Sequence, residues 1–331
     1  MTSVVLTAKW AGETGNDITA EIIGESLGTT WAIVQPTGGL VNPTVDAALL
    51  LVGNVWETMV INALNVDDEV ALDAFQVFGE GRWGELVRKP LVVFTGNTLS
   101  TVALATAISE TRTDDRINAQ LVSPGSVDMP FVVAARQVAR IAKLANNNPP
   151  HDYGSLRATG LIPGDDAVQW NYAERDAAVK AGSSTVEVKD GVVNISDVVT
   201  FYAPTGEEPP AYRYVVDIVK LQQIIFNLDL LFANAEWDGA PLIPDDQPTV
   251  NPTAKKPKMA IAEVAGMLDS LGLNAIISDP KTAKANTTAS INAMNPKRLD
   301  LSTVVQLSGN TNVVGVTLNF GFYFGAQAVV G

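Results

Sequence analysis

The stretch that decides the reading runs Tyr172-Ala-Glu174-Arg175, then Ala181-Gly182-Ser-Ser-Thr-Val186-Glu-Val188, then Lys-Asp190-Gly191. It closes with Val192-Val-Asn-Ile195-Ser-Asp-Val198-Val199-Thr200-Phe-Tyr202. A short helix is expected to end at Gly182, the usual kind of residue just past a helix C-terminus. A strand follows, with Val186 and Val188 alternating with polar residues. Asp190-Gly191 is the strongest short hairpin signal, and a β-branched strand returns toward Tyr202. Such a unit supports a fold and contains no reactive group beyond ordinary carboxylates.

Outward from that unit, the chain alternates. Thr58–Ala63, Pro90–Thr95 and Ala119–Val122 read as buried strands. Asp67–Phe78, Ser100–Ser109 and Asp128–Ala145 read as helices, the last with Pro130 in its first turn. Strands separated by helices argue for a parallel α/β sheet over residues 41–202. Residues 1–40 are expected to be β-rich, with a strand, a Gly-rich turn and a second strand through Ile22-Ile23.

Beyond Tyr202 the composition shifts, and residues 203–331 are expected to form an α+β domain with a small, mainly antiparallel sheet. Ala203–Pro210 reads as a linker and Tyr212–Asn234 as a long helix. Trp237–Lys258, with Pro241, Pro244, Pro248, Pro252 and Pro257, reads as a mobile loop. Met259–Leu271 is amphipathic and is expected to stop at Gly272. Strands are expected at Ala275–Ser278, Thr288–Met294 and Leu299–Leu307.

The end of the chain is the second informative stretch. Val314, Val316, Leu318, Phe320, Phe322 and Phe324 fall on one face of a strictly alternating strand. Its terminal position makes it available to pair with the sheet edge of a neighbouring subunit, and those six residues are the candidate interface. Pairing within its own domain is the other reading. An outer-membrane barrel would need many such strands and few helices.

Composition bounds the function. With 331 residues, 47% apolar and 18% charged, the chain can bury a sizeable core. A net charge of −14 opposes sequence-independent nucleic-acid binding, which needs clustered Lys and Arg. There is no cysteine and one histidine, so no zinc-ligand spacing exists. The most apolar segment, Tyr212–Phe232, carries Asp217, Lys220 and Asp229 and reads as no membrane span.

Chemistry finds little support. A serine hydrolase needs a histidine base oriented by a carboxylate and reaching a serine. His151 sits in a Pro-bounded loop, and Ser126 reads as a helix N-cap. Gly79-Glu-Gly81-Arg-Trp-Gly84 matches G-x-G-x-x-G, but a helix precedes it where a strand is needed, so it reads as a helix-terminating loop. The acid pairs Asp67-Asp68, Asp114-Asp115, Asp165-Asp166 and Asp245-Asp246 lack the spacing of a calcium loop and read as turn or cap residues. No catalytic, cofactor-binding or metal-binding residue is expected.

The Tyr172–Tyr202 unit, the segment Leu6-Thr7-Ala8-Lys9 with Gly12, Gly15 and Asn16, the pair Arg82-Trp83 and the run Asn295–Asp300 occur in this order. Together they resemble the tail sheath proteins of contractile-tailed phages, the Mu-like branch above all. One position departs, since that family usually has Arg where this chain has Asp197. The resemblance implies a subtilisin-like α/β core, a helical homo-oligomer linked by terminal strand augmentation, and a tail tube enclosed by the sheath. Baseplate and tail-terminator proteins would be further partners, and the virion tail, assembled in the host bacterial cytoplasm, the location. In that family the Leu6–Asn16 segment lies well inside the chain, which implies a missing N-terminal arm and domain. Ala203–Pro210 would serve as a hinge. The alternatives are a baseplate or surface-binding module of a contractile particle and, more remotely, a hydrolase on the same core.

Overall fold

The computed structural model describes residues 3–24, 28–206, 210–312 and 314–316. In chain order these form α1 (Asp46–Val52), β1 (Met59–Asn62), α2 (Glu69–Arg82), β2 (Val92–Asn97), α3 (Val102–Thr106), β3 (Asn118–Val122) and α4 (Pro130–Asn147). Then come α5 (Tyr172–Lys180), the hairpin β4 (Thr185–Lys189) and β5 (Val192–Asp197), and the helices α6 (Val215–Phe232), α7 (Pro257–Leu273) and α8 (Pro280–Ala285). Strands β6 (Thr288–Ile291) and β7 (Leu299–Ser302) follow.

Strands β1, β2 and β3 make a parallel sheet in that order, with Met59 opposite Val92 and Val93 opposite Asn118. Parallel neighbours cannot be joined by a tight turn, and α2 and α3 supply the crossovers. Every residue of β2 and β3 is buried, the condition of a parallel sheet covered on both faces. On one face Val92, Phe94, Ala119 and Leu121 meet Val138 and Ile141 of α4 and Val215, Ile218 and Val219 of α6. On the other, Val93 packs with Leu49, Phe75, Leu91 and Ile117. That second face turns polar along the strands. Asn62 donates to Thr95 Oγ1 at 3.2 Å and Asn97 to Gln120 Oε1 at 3.0 Å, so the buried amides satisfy one another.

Gly96 shows how closely the first face is packed. A Cβ there would lie 1.6 Å from the carbonyl oxygen of Pro130, so only glycine lets the start of α4 rest on β2.

The Tyr172–Tyr202 unit forms as its residues dictate. Asn171 caps α5 by accepting from the Glu174 amide at 3.1 Å, while Glu174 Oε2 accepts from the Asn171 amide at 2.8 Å. Gly182 takes φ +79°, and Asp190 and Gly191 take φ +52° and +70°, the geometry of a type I′ hairpin turn. Leu121 pairs in parallel with Ser184, which ties the hairpin's start to β3.

A second, smaller cluster lies toward the C-terminus. Ile224, Leu228 and Leu231 of α6 pack with Val264, Leu268 and Leu271 of α7, with Ile276 and Ile277, and with Leu301 beneath the antiparallel pair β6–β7. Helix α6 therefore serves both clusters, its first half lying in the sheet's core and its second half in this one.

Several expectations are corrected. Residues 3–24 and 28–40 contain no strand: Glu13–Asp17 is a 3₁₀ turn, and extended segments flank it. Side-chain amides bridge those segments in place of a backbone ladder. Asn16 exchanges two hydrogen bonds with Gly39, and Gln35 does the same with Ala20. Helix α2 runs through Gly79 and Gly81 to Arg82, and a bare Gly79 admits the Ile117 side chain against it. Helix α7 likewise continues past Gly272 to Leu273. Ile277 makes only a single bridge, to Leu307, where a full strand is expected, and α8 is a helix that the sequence reading lacks.

The residues that flank Ala203–Pro210 are held together: Tyr202 and Tyr212 meet edge to face at 5.4 Å, and the Thr200 amide donates to Arg213 O. The Trp237–Lys258 loop is also fastened. Buried Lys255 binds Glu236 at 2.8 Å and lies over the Trp237 ring.

Candidate subunit-interface region

The six candidate interface residues lie at or beyond the end of the description. Val314 and Val316 are exposed, at 72% and 81% accessibility, and among the described residues neither pairs with a strand. Leu318, Phe320, Phe322 and Phe324 lie outside the described residues. What the structure does define is where this segment begins. Leu307 bridges Ile277, and the Ser308 amide donates to Ile276 O at 3.1 Å. The Ser308 hydroxyl also donates to Ala275 O. Asn310 Nδ2 donates to Pro150 O at 2.7 Å. From Thr311 onward every described residue is exposed.

Next to this root is a groove of about 320 Å³ between the sheet core and the C-terminal region. Asp152, Tyr214, Asp217 and Asn312 are among its walls. Acidic and phenolic groups crowd here. Burial raises the carboxyl of Asp197 above the ordinary range, and Asp152 and Asp176 add to it against the Ser196 hydrogen bond and Arg175. Burial likewise raises the Tyr214 and Tyr153 phenols, with nearby carboxylates reinforcing it.

The β6–β7 pair has two strands, and among the described residues no third one pairs with either edge. Such edges present free N–H and C=O groups. Met294 in its connection, Val304 just after it and Leu273 at the end of α7 are large apolar residues left exposed.

The chemical candidates are placed elsewhere. The Ser126 hydroxyl donates to Ile162 O at 2.6 Å and accepts from the Asp128 amide, so it caps no helix; Met129 holds the N-cap of α4. His151 Nδ1 lies 2.6 Å from Asp152 O on an exposed loop. Of the acid pairs, Asp68 caps α2 through the Ala71 amide, as a cap reading expects. Asp115 is instead wholly buried and accepts from the Ile117 and Asn118 amides, the Asn118 side chain and Arg112. Among the described residues, no group of three or more His, Asp or Glu is placed to hold a metal ion. No helix among them is long and apolar enough to cross a membrane.

Sequence reasoning missed one residue of this region. Lys220 lies in the middle of α6 with a fully buried side chain. Its Nζ contacts Asp217 Oδ1 at 2.8 Å, Ser308 O at 2.6 Å and Asn310 Oδ1 at 2.7 Å. The sequence shows only a lysine in an apolar helix.

No protein-family model matches the sequence, and no curated protein matches it. Solved structures do share its fold. A sheath tail protein from Listeria innocua superposes with a TM-score of 0.56 at 13% identity, covering 86% of this chain and 63% of that one. A sheath tail protein from Desulfitobacterium hafniense gives 0.51 at 14% identity, with 84% and 65% covered. A chain of the PVC extracellular contractile injection system's sheath complex, in its contracted state, gives 0.52 at 11% identity, with 84% and 75% covered. This chain thus spans a little under two thirds of the length of the two sheath tail proteins. These three neighbours are thus sheath tail proteins and a chain of a sheath complex.

Proposed function

We propose that this chain is a structural subunit of a contractile tail sheath, polymerising helically around an inner tail tube and shortening to drive delivery of genome or effector. The observation that carries this reading is a fold shared with sheath tail proteins over 84–86% of the chain. The Mu-like motifs and a subtilisin-like character of the parallel core are the finer parts of the same reading. So are a division near residue 202 and a place in the virion, in contact with tube, baseplate and terminator proteins.

The mechanics follow from what the fold offers. Heterologous contacts between identical subunits give an open helix and not a closed ring pair. Contraction needs rigid bodies that change neighbours while links between them persist. The buried sheet core is the rigid body. The alternating segment Val314–Phe324, added to an open edge of β6–β7 in the next copy, is the link.

Thr317→Pro tests the link, because proline removes a ladder donor in the middle of the segment. Sedimentation should show loss of polymer, with circular dichroism and melting temperature of the dissociated chain unchanged. Polymer formed by the variant as readily as by the parent would remove this role for the segment.

A further inference from the structure

We propose that Lys220 is the joint that fastens the root of the C-terminal segment to the parallel-sheet core, so that load on the segment enters the core through α6. The purpose of the joint rests on the sheath reading, whereas its chemistry does not.

An ammonium has three N–H donors and no acceptor. Around Lys220 Nζ stand three acceptors within 2.8 Å: one from its own helix and two from residues 88 and 90 positions further along the chain. A buried charge is costly unless paired and hydrogen-bonded, and a leucine or methionine at this position would pack without that cost. What the lysine adds is a grip on Ser308 and Asn310. Asn310 turns its other side-chain atom to Pro150 O, so a single asparagine bridges α6 and the loop that follows α4.

The grip is carried onward. Two residues along α6, Gln222 Nε2 donates to the carbonyls of Thr58 and Pro90, each at 3.2 Å and just ahead of β1 and β2. A continuous path therefore runs from residues 308–310 through Lys220 and α6 to the start of the parallel sheet. Strands β6 and β7 are not needed to complete it. Asn310 is where the path begins, because the described residues after it are exposed.

This makes Lys220 a positioning residue, and the test needs a readout that a merely structural role would not move. In the full chain, Lys220→Met keeps an unbranched side chain one atom shorter and removes its donors. Asn310→Ala removes the partner from the other side and leaves the core helix intact. Hydrogen exchange followed by mass spectrometry should show amides at 306–310 exchanging at least tenfold faster in Lys220→Met and several-fold faster in Asn310→Ala. Amides of β2 and β3 should keep parental rates. Equal acceleration in both regions, or none at 306–310, would overturn the joint. If Lys220→Met does not fold, the Asn310→Ala comparison decides alone. Sedimentation of the parent separates the two claims: faster exchange at 306–310 in a chain that never assembles upholds the joint and removes the sheath role.

Discussion

Two of the described sheets, β1–β3 and β6–β7, are enclosed to different degrees. Strands β2 and β3 are buried at every position and covered on both faces by helices. Strands β6 and β7 contain no buried residue, rest one side on α6 and α7, and leave both edges without a described partner. A parallel sheet has to be enclosed, while an antiparallel pair can face water and accept more strands. The first sheet is thus the body of the molecule. The second is left, among the described residues, with no further strand at either edge.

Breaking the body should cost most. Gly96→Ala sets a Cβ 1.6 Å from Pro130 O, a backbone atom that cannot move without shifting α4. Overpacking of this severity exceeds the usual 1–3 kcal/mol, and about 4 kcal/mol or more is expected. The prediction is loss of the cooperative thermal transition, with little soluble protein recovered. A soluble variant melting near the parent would mean that β2 and α4 are not packed as described.

A cut in the smaller cluster should be milder and local. Leu268 of α7 is fully buried, and Leu268→Ala is expected to cost about 2–5 kcal/mol. Exchange should accelerate over residues 257–302 while β2 and β3 stay protected. Uniform acceleration would mean that the two clusters unfold as one unit.

The smallest effect is a gain. Burial raises the Asp197 carboxyl, so the native state prefers it protonated. Its favourable contribution is complete below the carboxyl's unfolded value and is lost as pH rises through the folded one. Asp197→Asn should therefore raise the melting temperature at pH 7, by an amount that shrinks toward pH 3. Equal melting temperatures at pH 7 would show that the ionised carboxylate is not disfavoured there.

The same contrast explains how much could be read from sequence. The apolar residues of Pro90–Thr95 and Ala119–Val122 announce buried strands, and Asp190-Gly191 announces its turn, because each signal lies within a few residues; Thr58–Ala63 announces a strand, but only Asn62 of β1 is buried and Ile61 is exposed. Lys220 gives no such signal: two of its three partners lie 88 and 90 residues away, and an isolated lysine in a helix usually marks a solvated face. The edge-to-face contact of Tyr202 with Tyr212 is likewise one that Pro and Gly content does not report. Side-chain amides replacing a ladder between residues 16–20 and 35–39 leave no β-pattern that differs from a real hairpin.

The central claim is self-assembly into a sheath, and negative-stain electron microscopy of the protein in the full sequence context of its gene tests it most directly. The account predicts tubes or stacked rings at high concentration, absent from the Thr317→Pro variant. Discrete particles alone, for the parent at every concentration and salt tried, would contradict it.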